Sequence, residues 1–546
     1  METSVEIRPA EERDIDSIIR IFHEVYKEDY PYTHFFDPNW LRQSIYTDNM
    51  VMLVACDCGS GEVLGTASVV YGAGIHSDLQ AEFGRLAVSC KARGRGIGNL
   101  LMEKRLEIVE ERIHIGIVEN RCPHDYSQKI STKYQFSPVG FLPYKHQFKN
   151  RESIALFAQV FNEALALRKN NPRLIPLVYT LAQMSFQNCG LPFDGVLDEL
   201  SEVYPLRSNY HIEEFTSKDV TPLLRITRGR VVGKEVFGPT QLSYGFFRLK
   251  AKSANYLVAK SKAGENLIDA VAGAIGYIKD DLEKSLRIFE LLTVDENSIQ
   301  FLFSELLTKC QNEWGVKYIE IEVSAHAPKL QRTLSRLGFL PTAYIPAMVF
   351  DRVERLDVVK MVKLNMPFDL NGVELYPKEM DDMAKWVSNN FKEQSILPEI
   401  EIQLQKNPLF AEMSDDQRKI LAAGLEKQTP DQNGVLYQQG GAPKGLFLIL
   451  EGLGVVIQNG QRIGTVSAGE VIGERSLLSN TEHSVTIKFD EGAVIFGLTP
   501  KKLMSLEKKF PDIAMILYKN IVMDLGKRIQ RLRGEGPSLS IEKAIS

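Results

Sequence analysis

Long hydrophobic runs are missing from this 546-residue chain. Nothing in it approaches the roughly 18 consecutive apolar residues of a membrane-spanning helix, so no membrane association is expected. The N-terminus, Met1-Glu-Thr-Ser-Val-Glu-Ile-Arg8, lacks the basic and apolar blocks of a signal peptide. Cysteine is sparse, with six residues at positions 56, 58, 90, 122, 189 and 310. Cys56 and Cys58 have no second pair to complete a zinc site, so no metal is expected and the reading is reduced thiols in a cytoplasmic protein. A basic excess is absent too: 65 Lys and Arg against 70 Asp and Glu give a net charge of −5, which offers nucleic acid no bulk attraction. No Gly-Lys-Ser/Thr follows a glycine-rich loop, which excludes a P-loop. What remains is 44% hydrophobic and 25% charged, the balance of a globular protein, with length for about three or four domains.

The stretch Leu86-Ala-Val-Ser-Cys-Lys-Ala-Arg-Gly-Arg-Gly-Ile-Gly98 carries the clearest chemistry. An apolar strand, Gln80 to Val88, leads into it. A helix leads out, with Ile97, Leu100, Leu101 and Ile108 on one side. Between them lie Arg93, Gly94, Arg95, Gly96 and Gly98. Glycine lets the backbone turn sharply and approach a ligand closely. A helix start offers unpaired N–H groups and positive partial charge to a phosphate. Position 99 is Asn, where the Gly-x-Gly-x-x-Gly of a dinucleotide loop needs glycine. The stretch resembles the pyrophosphate loop, Arg/Gln-x-x-Gly-x-Gly/Ala, of the GNAT superfamily of acyl-CoA-dependent N-acyltransferases.

The surrounding 160 residues are read as strand (Val5 to Arg8), helix after Asp14, strands at Met50 to Cys56, Val63 to Tyr71 and Gln80 to Val88, then the loop and its helix. A strand at His114 to Glu119, a helix at Ser127 to Tyr134 and closing strands from Pro138 to Phe161 follow, which is the GNAT order. The resemblance implies that acetyl-CoA, or another acyl-CoA, lies where two strands splay apart. Its pantetheine would meet the backbone of Leu86, Ala87 and Val88, and its pyrophosphate Arg93, Gly94, Arg95, Gly96, Ile97 and Gly98. Glu82 stands where family members place a general base. The family's tyrosine acid would fall three residues before the triplet Tyr134-Gln135-Phe136, at Ser131, a poor acid; Tyr134, Tyr126, Tyr144 or a water is the substitute. Cys122 and His124 lie nearby, but a covalent cysteine route needs a base held by a third group, and none is evident.

A pattern then returns. Leu53-Val-Ala-Cys and Phe83-Gly-Arg-Leu-Ala-Val88 are echoed, at nearly the same interval, by Leu257-Val-Ala-Lys and Phe289-Glu-Leu-Leu-Thr-Val294. Lys317 to Val323 reads as the next strand, and Leu337-Gly338-Phe339 follows. A second GNAT-like fold is the inference. Its loop, Asp295-Glu-Asn-Ser-Ile-Gln300, has neither glycine nor arginine. Two like charges about 4 Å apart repel by roughly 4 kcal/mol at an effective dielectric near 20, so Asp295 and Glu296 oppose a pyrophosphate. Asn297 can cap the following helix. This copy is expected to be non-catalytic and to pack on the first or help shape its cleft.

Past Asn407, short strands alternate with glycine turns. Tyr437-Gln-Gln-Gly-Gly-Ala-Pro-Lys-Gly-Leu-Phe-Leu-Ile-Leu-Glu-Gly452 and Gly469-Glu-Val-Ile-Gly-Glu-Arg-Ser-Leu-Leu-Ser-Asn-Thr-Glu-His-Ser-Val485 resemble the cyclic nucleotide-binding domain of catabolite activator protein and protein kinase regulatory subunits. The resemblance implies a site of Gly473, Glu474 (on the ribose hydroxyl), Arg475, Ser476, His483 and Ser484. His483 stands where the family's phosphate-binding arginine belongs, beside Glu482. Phe510 to Leu532 would be the moving helix, and the tail after Arg533 is too short for a DNA-binding helix-turn-helix.

The expected fold class is α+β multidomain: two GNAT-like α/β folds, each a mixed central sheet with helices on both sides, then a cyclic nucleotide-binding β-barrel (jelly roll) with flanking helices. The expected parts are 1–160, a largely helical connector 161–209, a degenerate copy 210–366, linking helices within 367–406 and the last domain 407–546. The expected function is N-acetyltransfer from acetyl-CoA to an amine, on protein lysine or a small molecule, under control of a cyclic nucleotide effector or of contact alone. A non-enzymatic sensor or scaffold is the alternative, and a homodimer is left open.

Overall fold

The computed structural model describes residues 5–27, 30, 33–71, 79–207, 209–216, 235–238, 254–261, 271–474 and 481–532, with side chains up to 527 in the last helix. The chain forms two compact units, Met1–Phe391 and Lys392–Ser546.

The first unit begins with β1 (Val5–Pro9), α1 (Ile15–Tyr26), α2 (Pro38–Ile45), β2 (Met50–Asp57), β3 (Val63–Tyr71) and β4 (Gln80–Val88). Then come α3 (Ile97–Val109), β5 (Ile115–Arg121), α4 (Tyr126–Lys133), β6 (Ser137–Gln147) and β7 (Arg151–Val160). Helical spacing puts Ile15, Ile18, Ile21 and Phe22 of α1 in the core. Just before it, the Arg8 guanidinium grips Asp14 with bonds of 2.7 and 2.9 Å. Helix α2 has no counterpart in the sequence reading. Its start signals are Asp37, whose carboxylate accepts from Asn39 N at 2.9 Å, and Pro38 at the first helical position.

The stretch read as a largely helical connector holds one α-helix, α5 (Pro176–Asn188), between two short parallel strands, β8 (Arg173–Leu174) and β9 (Val196–Leu197). Prolines at 172 and 192 bracket the helix. There follow β10 (Tyr210–Phe215), β11 (Val236–Phe237), β12 (Ala254–Ser261), β13 (Val271–Asp280), β14 (Ser285–Thr293), β15 (Tyr318–Ser324), β16 (Leu340–Asp351) and β17 (Glu354–Leu364). The helix Asn297–Asn312 joins β14 to β15, and Pro328–Arg336 joins β15 to β16.

All but the short β8–β9 pair belong to one 15-stranded sheet, ordered β1-β2-β3-β4-β5-β7-β6-β16-β17-β15-β14-β13-β12-β10, with β11 beside β15. Read from either edge the order is the same: each half runs inward through equivalent strands and ends on its sixth. The halves join where Gly140 of β6 pairs with Ala343 of β16. A Cβ on Gly140 would lie 2.1 Å from the Ala343 Cβ, so glycine alone permits the seam.

The linking helices read at Asp381 to Phe391 and Ile400 to Leu404 are one continuous helix, Lys378–Lys406, with Pro398 inside it. The second unit contains two antiparallel four-stranded sheets. One core, with Tyr437, Phe447, Ile449, Ile487, Phe489 and Ile495, draws on both of them. The helices Pro500–Lys509 and Pro511–Leu532 close the described chain.

Candidate active site

Strands β4 and β5 pair in parallel only from Gln80↔Ile115 to Glu82↔Ile117, although β4 runs on to Val88 and β5 to Arg121. Beyond Glu82 they splay. The cause is a bulge: Thr66 faces Ala87 but Ser68 faces Gly84, leaving Arg85 and Leu86 outside the ladder with β3. Arg85 has φ 56°, a left-handed conformation that costs a non-glycine residue about 1–3 kcal/mol. Buried Arg105 of α3 offsets this. Its guanidinium donates to the carbonyls of Ser68 (3.3 Å) and Gly84 (3.2 Å) and lies 5.6 Å from the Phe83 ring centre. Burial, with Arg85 nearby, pushes its pKa down to about 9.

The loop after β4 is fastened at both ends. Ser89 N bonds the Leu64 carbonyl at 2.9 Å, and the Glu24 carboxylate accepts from the Ser89 hydroxyl (2.9 Å) and Cys90 N (2.6 Å). Burial opposes ionisation of Glu24, but these bonds outweigh it and hold its pKa below the ordinary value. Arg95 pairs with Asp57 at 3.2 Å, whereas Arg93 is exposed. Gly94 and Gly96 adopt φ of 80° and 74°, and nothing lies within 4 Å of a Cβ on either. The loop is therefore open on the side where these Cβ atoms would point. Gly96 opens α3, whose first N–H groups lack helical partners. Gly98 is small for another reason: its Cβ would stand 2.8 Å from Ile130 of α4.

Glu82 is exposed at the mouth of the wedge, its carboxylate 3.2 Å from Arg85. Leu86 and Val88 are half-buried, and Ala87 and Ile97 are buried. Ser131 is buried and accepts a 3.0 Å bond from Asn120 of β5. The Tyr134 hydroxyl donates to the Asn99 carbonyl in the first turn of α3, at 3.0 Å, and burial raises its pKa. Tyr126 is 70% exposed; Tyr144 packs on Phe368 with ring centres 4.8 Å apart. Burial raises the pKa of Cys122 and lowers that of His124, so neither the thiolate nor an imidazolium is favoured there.

A cluster that sequence reasoning missed lies farther along β5. Glu119 pairs with Lys145 and sits 3.3 Å from His146 Nε2; His146 Nδ1 is 3.3 Å from Glu283. A charged residue in an otherwise apolar central strand, Ile115-Gly-Ile-Val-Glu119, was the available signal.

In the second half β14 and β15 likewise pair in parallel only from Ser285↔Tyr318 to Ile288↔Ile321. There the chain itself fills the gap: β11 pairs with β15 through Val236↔Val323 and Phe237↔Glu322, and Ser324 N bonds the Glu235 carbonyl at 2.8 Å. A Cβ on Gly238 would meet Phe289 at 2.4 Å. Asn297 is the first helical residue rather than the cap, and Asp295 accepts its N–H at 3.0 Å.

In the second unit His483 is buried and stacks on Tyr437, ring centres 3.8 Å apart. Its Nε2 accepts from Lys444 N at 3.2 Å. Burial, and then Lys444, lower its pKa, so the ring is neutral near pH 7. Glu474 is buried, Ser484 is exposed, and a Cβ on Gly473 would lie 2.3 Å from the Gly445 carbonyl. Arg475 and Ser476 lie outside the described residues.

The acetyltransferase (GNAT) family model matches residues 15–127, and the cyclic nucleotide-binding domain model matches residues 430–509. Among solved structures, the chain is similar to the ribosomal-protein-alanine N-acetyltransferase from Brucella melitensis, at 22% identity over 29% of this chain and 99% of that one, with a TM-score of 0.26. An N-acetyltransferase from Staphylococcus aureus gives 18%, 29%, 99% and 0.26. A phosphinothricin acetyltransferase from Sinorhizobium meliloti, in complex with AcCoA, gives 23%, 29%, 89% and 0.26. This polypeptide thus carries a domain of the acetyltransferase (GNAT) family and a cyclic nucleotide-binding domain.

Proposed function

We propose that the first half transfers an acyl group, from acetyl-CoA or another acyl-CoA, to an amine. The observation that carries this is the wedge between β4 and β5 opening beside a glycine loop that ends on a helix N-terminus. Backbone of Leu86, Ala87 and Val88 would hold the pantetheine, and the loop amides with Arg93 the diphosphate. Arg95, tied to Asp57, fixes the loop's shape. The amine nitrogen forms a bond to the thioester carbon, Glu82 accepts its proton directly or through one water, and the C–S bond breaks. The Ser131 hydroxyl donates to the Ser127 carbonyl at 3.1 Å and Tyr134 to the Asn99 carbonyl, so the departing thiolate takes its proton from water. Thiol release from acetyl-CoA across an amine panel tests the reading. Glu82→Gln is expected to lower kcat by about 10²-fold or more with the acetyl-CoA melting shift kept; unchanged kcat removes Glu82 from the mechanism.

The second half is read as a GNAT-like copy without a thioester slot, since β11 stands in it. The C-terminal unit is read as a regulator whose hold on cyclic nucleotide is weak. A neutral, stacked His483 cannot supply the forked cationic bond of an arginine. His483→Arg is expected to tighten cyclic AMP binding by about tenfold or more, measured by titration. Wild-type affinity should not improve between pH 8 and pH 7, because the lowered pKa keeps His483 uncharged there.

A further inference from the structure

The two halves bury charge against each other at the cavity between them. This cavity of 120 Å³ is lined by Lys145 and His146 from β6 and, from the second half, Glu283, Arg287, Tyr318 and Glu320, among others. Its walls carry both signs: Lys145, His146 and Arg287 line it together with Glu283, Glu320 and Asp280.

It also lies next to the transfer wedge. His146 lines the cavity and touches Glu119, which stands two residues past Ile117, the last β5 residue paired with β4. Glu283 comes from the turn between β13 and β14, and holds β6 in place by accepting Gln147 N at 2.8 Å and by bonding His146. The Glu283 carbonyl also accepts from the Arg151 guanidinium. So a segment of the second half is bonded to His146, which in turn touches Glu119 on the strand that borders the wedge.

We propose that this cavity takes the amine acceptor, and that the acceptor is a small zwitterion, carrying a carboxylate as well as its amine. The inference rests on the acyltransferase reading above. A cavity walled by paired opposite charges matches neither a lone cation nor a lone anion. Hydrogen-bonding capacity is left over after the internal pairs are made. Lys145 has three N–H donors and, among the described residues, hydrogen-bonds Glu119, with Glu320 near enough to act on its charge. Arg287 has five and contacts Glu322 at 2.9 Å and Glu320 at 3.5 Å. Those two cations are matched to a carboxylate, which leaves the amine end to the His146 side of the cavity, toward β5 and the wedge. A protein lysine, with no carboxylate within reach of its amine, leaves those cations unmatched.

The full chain is titrated calorimetrically with glycine, β-alanine and 4-aminobutyrate, and with propylamine and propionate as single-charge controls. At least one zwitterion is expected to bind saturably, and about tenfold or more tighter than either control. Arg287→Met should abolish that binding while the melting shift with acetyl-CoA is unchanged. Should Arg287→Met fail to fold, Ser285→Leu fills the cavity from a lining position without removing a charge, and is expected to give the same loss. Propylamine binding as tightly as the zwitterions overturns the proposal, as does binding that survives Ser285→Leu. No zwitterion binding with the acetyl-CoA shift intact strikes this proposal alone. Absence of the acetyl-CoA shift strikes the acyltransferase reading instead.

Discussion

Gly96→Glu is expected to weaken acetyl-CoA binding by about three orders of magnitude. Gly96 opens α3 with φ 74°, and nothing occupies the 4 Å around its missing Cβ. A side chain there therefore clashes with no protein atom; it points into the open face of the loop. A carboxylate about 4 Å from one diphosphate charge costs roughly 4 kcal/mol at an effective dielectric near 20, and each 1.4 kcal/mol is tenfold in affinity. The left-handed backbone adds about 1–2 kcal/mol of strain, which falls on folding rather than on the ligand. Gly96→Asn separates the two: Asn tolerates this conformation and carries no charge, so it should keep most of the affinity. Calorimetric titration of wild type and both variants decides it. Equal affinity for Gly96→Glu and wild type would show that no diphosphate lies at this loop.

Much of the first half is legible from local pattern. Val63–Tyr71 and Gln80–Val88 run between the residues that composition and turn signals assign them, because apolar strands covered on both faces read as continuous runs. The loop is legible because glycine spacing is a local property. The bulge is not. Arg85 carries no glycine signal, and what sustains its conformation is Arg105, twenty residues on and buried in another element. The plug is not legible either, since β11 is two residues long and meets β15 across more than eighty residues of chain. Helix α2 is legible in its Asp37-Pro38 start. Ser131 illustrates a different limit: alignment to a triplet gives a position, but only the fold shows its hydroxyl accepting from Asn120 and donating to the Ser127 carbonyl.

The second half also shows how a repeated architecture can change its use. The parallel pair β14–β15 opens as β4–β5 does. In one case the gap lies beside a glycine turn, and in the other Val236 and Phe237 stand in it with a ladder of their own. Charge follows the same division. Glu320 and Glu322 pair with Arg287 and Lys360 inside the second half, while Lys145 and its neighbours present charge to them from the first. Nearby opposite charges outweigh burial and lower the pKa of Glu320 to about 2, and Glu322 is likewise held below its ordinary value. The faces are ionised and mutually neutralised. Such faces are costly to separate, because each group exposed without its partner loses that compensation.

The seam that holds those faces together depends on one hydrogen atom. Gly140→Ala is expected to destabilise the first unit by about 3 kcal/mol, the upper end for overpacking. The new Cβ would stand 2.1 Å from the Ala343 Cβ, 2.7 Å from its Cα and 2.8 Å from the Thr342 carbonyl. Two of these three atoms are backbone within the only ladder joining the halves among the described strands, so no rotamer change relieves the contact. All three tryptophans of the chain, Trp40, Trp314 and Trp386, belong to the unit Met1–Phe391. Fluorescence excited selectively in tryptophan during urea unfolding therefore reports on that unit alone. Ala343→Gly in the same chain removes the nearest atom but not the backbone contacts. The double variant should recover part of the loss, and a double-mutant cycle should return a coupling energy of about 0.5–3 kcal/mol. A Gly140→Ala midpoint equal to that of wild type would mean that β6 and β16 do not meet in this register.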